Sequence, residues 1–543
     1  MVLLTQELEW GLNNMATTKD IKNIPVEKFN FAKRDGNLHD KKFDTKPVGY
    51  WQDAFRRFCK NKGAVVAAIV IMMLLLFAII GPFCTPYSVS YSDQRLAVMQ
   101  PKNELFVKWG WDFWDGCKVK ETSYVGFLED YAKGKETGKD VIKNGEYTVS
   151  EDGGTYTYRF NTYYGTGFGK YKNISLEEYK DIQRYQDETG RQVLYPTVRT
   201  SDRPELTQDK ERADIYYKTK KKDGKTVPAL DANGEVVPVY WKYSVEDGEP
   251  STAVKYTSKM RIEGEDGVTI DGQTYYYVYG RVLAGGQVEV RAEYYEYYTY
   301  YHTQVLKDKI TEPSFLFGTT SDGKDIFTCI SSGARFSFIF AIVVAAVNLI
   351  VGAIWGSIAG YYGGKIDLIM ERITDVLGAV PTMIVITLLK YHMGSSSHII
   401  VLFLSFFLTG WIGMAGTTRM QFYRYKNQEY VLVARTLGAK DRRIMFKHIF
   451  PNALGTIVTA CALVIPSMIY SETNLSYLGI VNLEVGNITS VGTMIAAGQR
   501  DMLLAPFVAL FPSCFLVLMM LSFNLFGNGL RDAFNPSLRG SED

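Results

Sequence analysis

The sequence predicts an all-α membrane protein of six transmembrane helices, with a β-rich (α+β) extracytoplasmic domain inserted between helices 1 and 2. Three observations predict it: long uncharged apolar runs, one polar tyrosine-rich block after the first run, and a lopsided spread of Lys and Arg over the short loops. Several runs exceed the ~18 residues that mark a membrane span, which excludes a disordered chain and an ordinary soluble enzyme. The 543 residues carry a net charge of only +2. No basic footprint exists, so a nucleic-acid partner is not expected.

Residues 1–45 read as a charged cytoplasmic tail, and 46–87 as an amphipathic elbow followed by the first span, Ala64 to Phe83. Polar residues precede this run and no small-residue cleavage site follows it, so it is expected to stay as a helix. The second span lies between Arg335 and Lys365, and the third is about Val376 to Leu389. The fourth runs from Ile399 to Thr418, the fifth from Asn452 to Ser471 and the sixth from Met502 to Phe526. The third is short and must borrow Arg372 to Asp375 at one end. Arg372 and Asp375 sit at i and i+3, so they are expected to face each other as a structural pair at the cytoplasmic end.

Short-loop charge gives the orientation. Arg56, Arg57, Lys60 and Lys62 flank the first span, Lys365 and Arg372 lie between spans two and three, and eight Lys or Arg residues lie between spans four and five. The loop after span three has no Lys or Arg, and the loop after span five has only Arg500. The positive-inside bias then puts both termini in the cytoplasm and residues about 88–332 outside.

Residues 88–315 form the soluble insertion. Asn144-Gly145, Asp152-Gly153, Asp223-Gly224, Asn233-Gly234, Asp266-Gly267 and Asp271-Gly272 read as tight turns. Tyr156, Tyr158 and Phe160 alternate with Thr155, Thr157 and Arg159, and Val237, Val239 and Trp241 behave similarly, as strands do. Ser175 and Glu178 have capping-box spacing before a helix from Leu176 to about Asp187. Tyr275, Tyr276, Tyr277, Tyr279 and the run Tyr294 to Tyr301 have two readings: an aromatic recognition surface, or strand residues half buried in a sheet. Cys59, Cys84, Cys117, Cys329, Cys461 and Cys514 form no CxxC and read as isolated thiols.

Catalytic signatures are missing. The stretch Gly165 to Tyr171 lacks the spacing and the final Ser/Thr of a Walker A loop, the five histidines do not cluster, and no GxSxG elbow occurs. This chain is therefore read as a non-enzyme without cofactor or metal. Nucleotide energy must come from another chain.

The signal sits in the loop of about 420–450. Asn427 is expected to cap a short helix running to Leu437, with Tyr430, Ala434 and Leu437 on one face. Gly438 ends it as a C′ glycine. A second short helix follows with Ile444, Met445, His448 and Ile449 on one side, and Pro451 suits the first turn of span five. Two short helices meeting at a glycine among Lys and Arg make a docking knob. The plainer alternative is an interfacial element touching lipid heads.

Here the sequence resembles a family. Glu429 to Ala439, then Ile444, then His448 to Asn452, is similar to the EAA loop of ABC-importer permeases, most nearly the oligopeptide/dipeptide permease C-type subunit. Five further collinear segments agree: Ala54 to Phe58 with Pro86-Tyr87; Phe317 to Asp325 with Gly333 to Arg335; Ala359 to Gly364 with Arg372 to Asp375; Glu472 with Leu475 to Gly479; and Phe523 to Asp532. The resemblance covers about 50–87 and 313–538. Leu432 and Val433 depart from the Glu and Ala of the motif, and the insertion is far larger than the usual loop.

The resemblance implies a type I ABC-importer permease, with residues 316–543 as its core, in the cytoplasmic membrane of a prokaryote. It implies a second permease subunit, two ATPase subunits that hold ATP and Mg, and an extracytoplasmic peptide-binding protein. Coupling to the ATPases would fall to Glu429, Tyr430, Val431, Ala434, Arg435, Leu437, Gly438, Ala439, Ile444, His448 and Pro451. Glu429 and Arg435 would be the polar anchors, with Ala434 and Gly438 allowing close approach. Glu472, Asn474 and Ser476 are candidates for the pathway or gate, since a carboxylate in a span is costly. The competing reading of Glu472 is a hydrated interfacial carboxylate. The competing reading of the whole chain is a membrane-anchored receptor whose β-domain binds a peptide, cell-wall or protein ligand.

Overall fold

The structure is a computed structural model. It describes residues 50–151, 154–166, 170–195, 197–198, 219–222, 225–228, 263–270, 273–278, 281–282, 286–308, 310–394, 398–481, 483 and 488–534. The expected tail of 1–45, the Asn233-Gly234 turn, Val237, Val239, Trp241 and Tyr279 lie outside them. The chain divides into two units, 1–56 and 57–543. Of the first, only the start of a helix spanning Tyr50–Lys60 is described.

Among the described residues, five helices are long and apolar enough to cross a membrane: Lys62–Cys84, Ile326–Tyr362, His398–Tyr425, Asp441–Tyr477 and Pro506–Phe534. A sixth crossing exists only if a bent pair counts as one. The expected third span is two helices, Gly364–Gly378 and Thr382–Met393, which meet at 69°. Pro381 explains the break. It has no N–H to donate, and it drives Val380 away from helical geometry. The last span begins at Pro506 rather than at Met502, because residues 501–504 form a turn. Proline tolerates the first helical turn, where its missing N–H has no partner to lose. Between the fifth and sixth spans lies a helix the sequence reading lacked, Val491–Arg500, capped by a reciprocal Ser490/Thr493 box.

Glycine sets how closely two spans pack. Gly352, Gly356 and Gly360 form an i, i+4, i+8 stripe on the Ile326–Tyr362 helix. A Cβ on Gly356 would stand 2.2 Å from the Ala415 carbonyl oxygen, and one on Gly360 2.7 Å from that of Arg419. The stripe therefore lies backbone-to-backbone against Trp411–Tyr425. Lipid tails are as apolar as leucine, so this contact rests on dispersion between close surfaces rather than on the hydrophobic effect.

The described part of the insertion is mixed. Cys117–Ser123, Thr155–Asn161 and Ile142–Val149 form an antiparallel sheet in that spatial order, with the middle strand paired to both neighbours. Tyr158 and Phe160 of that strand are buried beneath a helix containing Phe127. A second sheet pairs Lys170–Ile174 with Val288–Ala292. The Leu176–Thr189 helix forms behind Ser175, whose Oγ accepts the Glu178 N–H at 3.0 Å, and it ends at Gly190.

Two turn expectations change. Asn144-Gly145 takes positive φ at both residues, but inside the Ile142–Val149 strand, where the register shifts. Asp266-Gly267 continues the Glu263–Ile270 strand, with Gly267 opposite Tyr276. The strands flanking Asp152-Gly153, Asp223-Gly224 and Asp271-Gly272 pair antiparallel, while these dipeptides themselves lie outside the described residues. None of the six cysteines forms a disulfide in the structure.

The tyrosine run is neither a strand nor a recognition surface. Tyr294–Tyr300 is a helix, continued by a π-helical turn over Tyr301–Leu306. Tyr295, Tyr297, Tyr298 and Tyr300 are all buried. Tyrosine's strand preference reflects how its ring packs on a pleated surface, and a helical setting that buries the rings as well overrides it. Here Tyr297 and Tyr300 pack with Tyr179, Ile182 and Tyr185 of the Leu176–Thr189 helix. Two of the hydroxyls donate to carboxylates: Tyr297 to Glu178 at 2.5 Å and Tyr295 to Glu312 at 2.7 Å. Tyr295 and Tyr298 also join Tyr87, Met99 and Phe315, which ties the insertion to the segments entering the bundle.

Candidate functional site: the basic end of the bundle

The loop between the fourth and fifth spans starts where Trp411–Tyr425 ends in Arg424 and Lys426. A short helix, Glu429–Thr436, follows. Its N-cap is Gln428 with no side-chain cap bond, so Asn427 lies one residue outside and does not cap it. Gly438 at φ +80° then turns the chain. A side chain resists that left-handed conformation, and a proline ring forbids it.

The buried face differs from the expected one. Val431 and Ala434 are buried, together with Tyr361, Phe422, Ile444, Met445 and Ile449. Tyr430 and Leu437 face outward, and Leu437 is 82% exposed. The i, i+4, i+7 count from Tyr430 therefore picks the wrong stripe; the inward pair is Val431/Ala434, an i, i+3 spacing. The outward face carries Tyr430, Leu432, Val433 and Leu437. Leu432 and Val433, the two motif departures, are thus apolar additions to an exposed surface.

No separate second helix exists after the glycine. Asp441–Arg443 runs through a π segment, Ile444–Ile449, into Phe450–Tyr477. Pro451 sits in the first turn of that span and removes one backbone donor, which loosens the regular pattern just upstream. Ile444, Met445 and Ile449 point inward and His448 is half buried. Pro451 itself is exposed, and Ala439 packs at the edge of the cluster.

Polar contacts tie this knob to two other helices. Tyr361 Oη donates to Asp441 at 2.6 Å, and Arg435 Nη2 reaches Tyr361 Oη at 3.5 Å. Arg435 thus leans back onto the bundle. Glu429 is exposed. A second anchor was not legible in the sequence: Arg419 makes a two-pronged pair with Asp367 at 2.6 and 2.8 Å, and Tyr423 Oη donates to the same carboxylate at 2.6 Å. Lys426 Nζ donates to the Gly360 carbonyl at 2.9 Å. Asp367 is one of three acids, with Glu371 and Asp375, in the stretch after Gly363-Gly364, and nothing in the sequence singles it out as the partner of Arg419. The Arg372–Asp375 pair is present at 3.0 Å and exposed. Exposed pairs add ~0–1 kcal/mol, whereas a partly buried bidentate Arg–carboxylate pair fixes geometry.

At the other end, Glu472 is fully buried. Ser337 donates to one carboxylate oxygen at 3.0 Å and Ser476 to the other at 3.0 Å, and Ser490 joins them. The hydrated interfacial reading of Glu472 therefore fails. Three helices converge on this acid, and Gly492 lets one of them approach the Thr473 backbone closely. Asn474 is half buried on the same helix.

Comparison with known proteins adds the following. Residues 352–540 match the family described as binding-protein-dependent transport system inner membrane component. Residues 49–101 match the N-terminal TM domain of oligopeptide transport permease C. The chain is 42% identical to the oligopeptide transport system permease protein OppC of Bacillus subtilis, over 45% of this chain and 78% of that protein. It is 40% identical to the dipeptide transport system permease protein DppC of the same organism, over 43% and 74%. It is 36% identical to OppC of Escherichia coli, over 42% and 74%. Residues 102–351, which hold nearly all of the insertion, lie outside both family matches.

Proposed function

The chain belongs to the binding-protein-dependent transport inner-membrane components, as a permease of the oligopeptide/dipeptide C type, and from that premise we propose that it forms half of a peptide pathway and is driven through the helix at Glu429–Thr436. It is a multi-pass transport subunit, not an enzyme. The second half is a partner permease. ATP and Mg belong to two ATPase subunits, and an extracytoplasmic binding protein delivers peptide. The basic end faces the cytoplasm, and the insertion faces outward.

One observation carries the reading. A short helix is held by Val431 and Ala434 while it presents Tyr430, Leu432, Val433 and Leu437 to the outside. Such a face is unfavourable in water and suits a protein groove. Movement imposed on this helix reaches the bundle by three routes: Arg435 and Asp441 through Tyr361, the π segment into the fifth span, and Lys426 onto the glycine-striped helix. Two discrete arrangements of these contacts would be the inward- and outward-open states. Glu472, Ser476 and Asn474 sit at the far end as elements of the gate.

A receptor needs no glycine-turned helix at the membrane face, and the relatives are permeases. The test is Gly438→Pro in the assembled complex. The expected result is loss of peptide-stimulated ATP hydrolysis with the partner subunits still co-purifying. Retained stimulation would overturn the coupling role. For the insertion, we propose that it grips the binding protein or covers the pore mouth. Deletion of 95–310 with unchanged uptake and unchanged binding-protein affinity would exclude both.

A further inference from the structure

A second surface lies at the opposite end of the spans. Residues 101–116 form a loop closed at its base, where Gly116 N donates to Pro101 O at 3.0 Å and Asn103 N to Trp114 O at 2.8 Å. Within it Phe106 stacks on Trp111 at 5.1 Å and on Trp114 at 5.6 Å. The loop turns its large apolar side chains outward: Leu105, Val107, Trp109, Trp111 and Phe113 are between 44 and 63% exposed. An unpartnered apolar patch of this size in water calls for an occupant.

Position identifies the occupant. Trp114 stacks on Phe511 and on Phe317, each at 5.9 Å. Phe511 belongs to the Pro506–Phe534 span. Counting back from Arg531 at the basic end, ~20 residues at 1.5 Å each give the ~30 Å of the hydrocarbon layer and end at Phe511. The loop is therefore level with the far edge of the acyl chains. The turn before that span and the span itself also expose apolar side chains near this end: Leu503 and Leu504 are 99 and 79% exposed, and Leu510 is 56% exposed. Tryptophans flanked by Glu104, Lys108 and Asp112 match the headgroup boundary, where amphipathic rings concentrate. Trp114 holds φ +59°, an unfavourable conformation for a bulky residue, while its ring stacks on the span.

We infer that the 104–114 loop is a membrane-interface anchor, which lays Trp109, Trp111 and Phe113 into the leaflet opposite the coupling end and fixes the insertion against the bilayer. This rests on the spans being transmembrane and not on the transport reading; loss of coupling in the Gly438→Pro complex has no bearing on it.

The test is the complete complex in phosphatidylcholine/phosphatidylglycerol vesicles whose acyl chains carry bromine at carbons 6,7 or at 11,12. Tryptophan emission of the native protein is compared with that of W109F/W111F. The emission removed by the double substitution is expected to be quenched at least twofold more by the shallow bromines than by the deep ones, and to resist aqueous iodide. Quenching of that emission by iodide and not by brominated lipid would overturn the anchor. Shielding from iodide that appears only when the binding protein is added would also overturn it, and would assign the patch to a protein partner. W109F alone reads the same surface, and this largely exposed ring can lose its indole without a change in packing.

Discussion

In the bundle, Gly352, Gly356 and Gly360 let two helix backbones touch; in the insertion, Tyr295, Tyr297, Tyr298 and Tyr300 fill the space between elements with rings. The two regions also treat charge differently. The insertion buries Glu293 and Glu296 against Lys139, at 3.0 and 2.7 Å, and Arg191 bridges Glu296 and Glu312. The bundle places its two-pronged pair, Asp367–Arg419, at the basic end, and surrounds Glu472 with serine hydroxyls. The solvent explains the contrast. In water, a large ring gains ~25 cal/mol per Å² of apolar surface removed, and its hydroxyl needs one partner. In lipid that gain vanishes, so association relies on closeness, which the smallest residue serves best.

The largest expected effect tests the bundle half of this contrast. Gly356→Leu puts a branched side chain where even a Cβ meets the Ala415 carbonyl. We expect at least tenfold less monodisperse protein in size-exclusion chromatography after detergent extraction. Normal yield would break the comparison, because the helix pair would then tolerate separation. Next is Lys139→Met, which leaves Glu293 without its cation while Glu296 keeps Arg191. Removing one partner of a buried pair costs about 3–5 kcal/mol. Hydrogen exchange over residues 288–300 should rise accordingly, with the bundle unaffected.

A smaller change sharpens the role of the rings. Tyr297→Phe keeps the packing and removes only the bond to Glu178. It should cost about 1.5–3 kcal/mol, the range for a bond to a charged group, read by the same exchange measurement. A loss as large as that of Tyr297→Ala would mean that the hydroxyl, not the ring, holds the region. The last test is one of pH. Burial pushes the Glu293 carboxyl up to about 7, against the opposing pull of Lys139. A carboxyl raised on folding stabilises the fold fully below its unfolded value of ~4.3. That contribution is lost as pH rises through about 7. The insertion should therefore be more resistant to urea at pH 5 than at pH 8, and Glu293→Gln should flatten the difference.

Much of the bundle was legible because span length and short-loop charge follow from the bilayer itself. Gly438 was legible as a turn because its requirement is local. The buried face of the Glu429–Thr436 helix was not, since apolar residues occupy Tyr430, Val431, Leu432, Val433 and Leu437 alike and only the neighbouring Tyr361 and Ile444 decide between stripes. The tyrosine helix was hidden for a related reason: a preference for strands describes packing, and the packing surface lies more than a hundred residues away, at Tyr179 to Tyr185. Asp367 could not be matched to Arg419 because nothing in a sequence orders the acids and bases across helices. The aromatic loop at 104–114 was readable as composition, but its height on the last span was not.

The kink at Pro381 has a consequence for the surroundings of the chain. Two helix ends meet between Gly378 and Thr382, and each leaves peptide groups with no partner inside its own helix. Residues 378–381 are exposed on this subunit. If the pair makes one crossing, that opening falls near the middle of the hydrocarbon, where an unbonded peptide group costs several kcal/mol. Acyl chains are therefore the wrong neighbour for this side. On that arrangement the opening would be roofed by another polypeptide or wetted by a water-filled passage, and the kink would mark the flank of the subunit that is turned away from lipid.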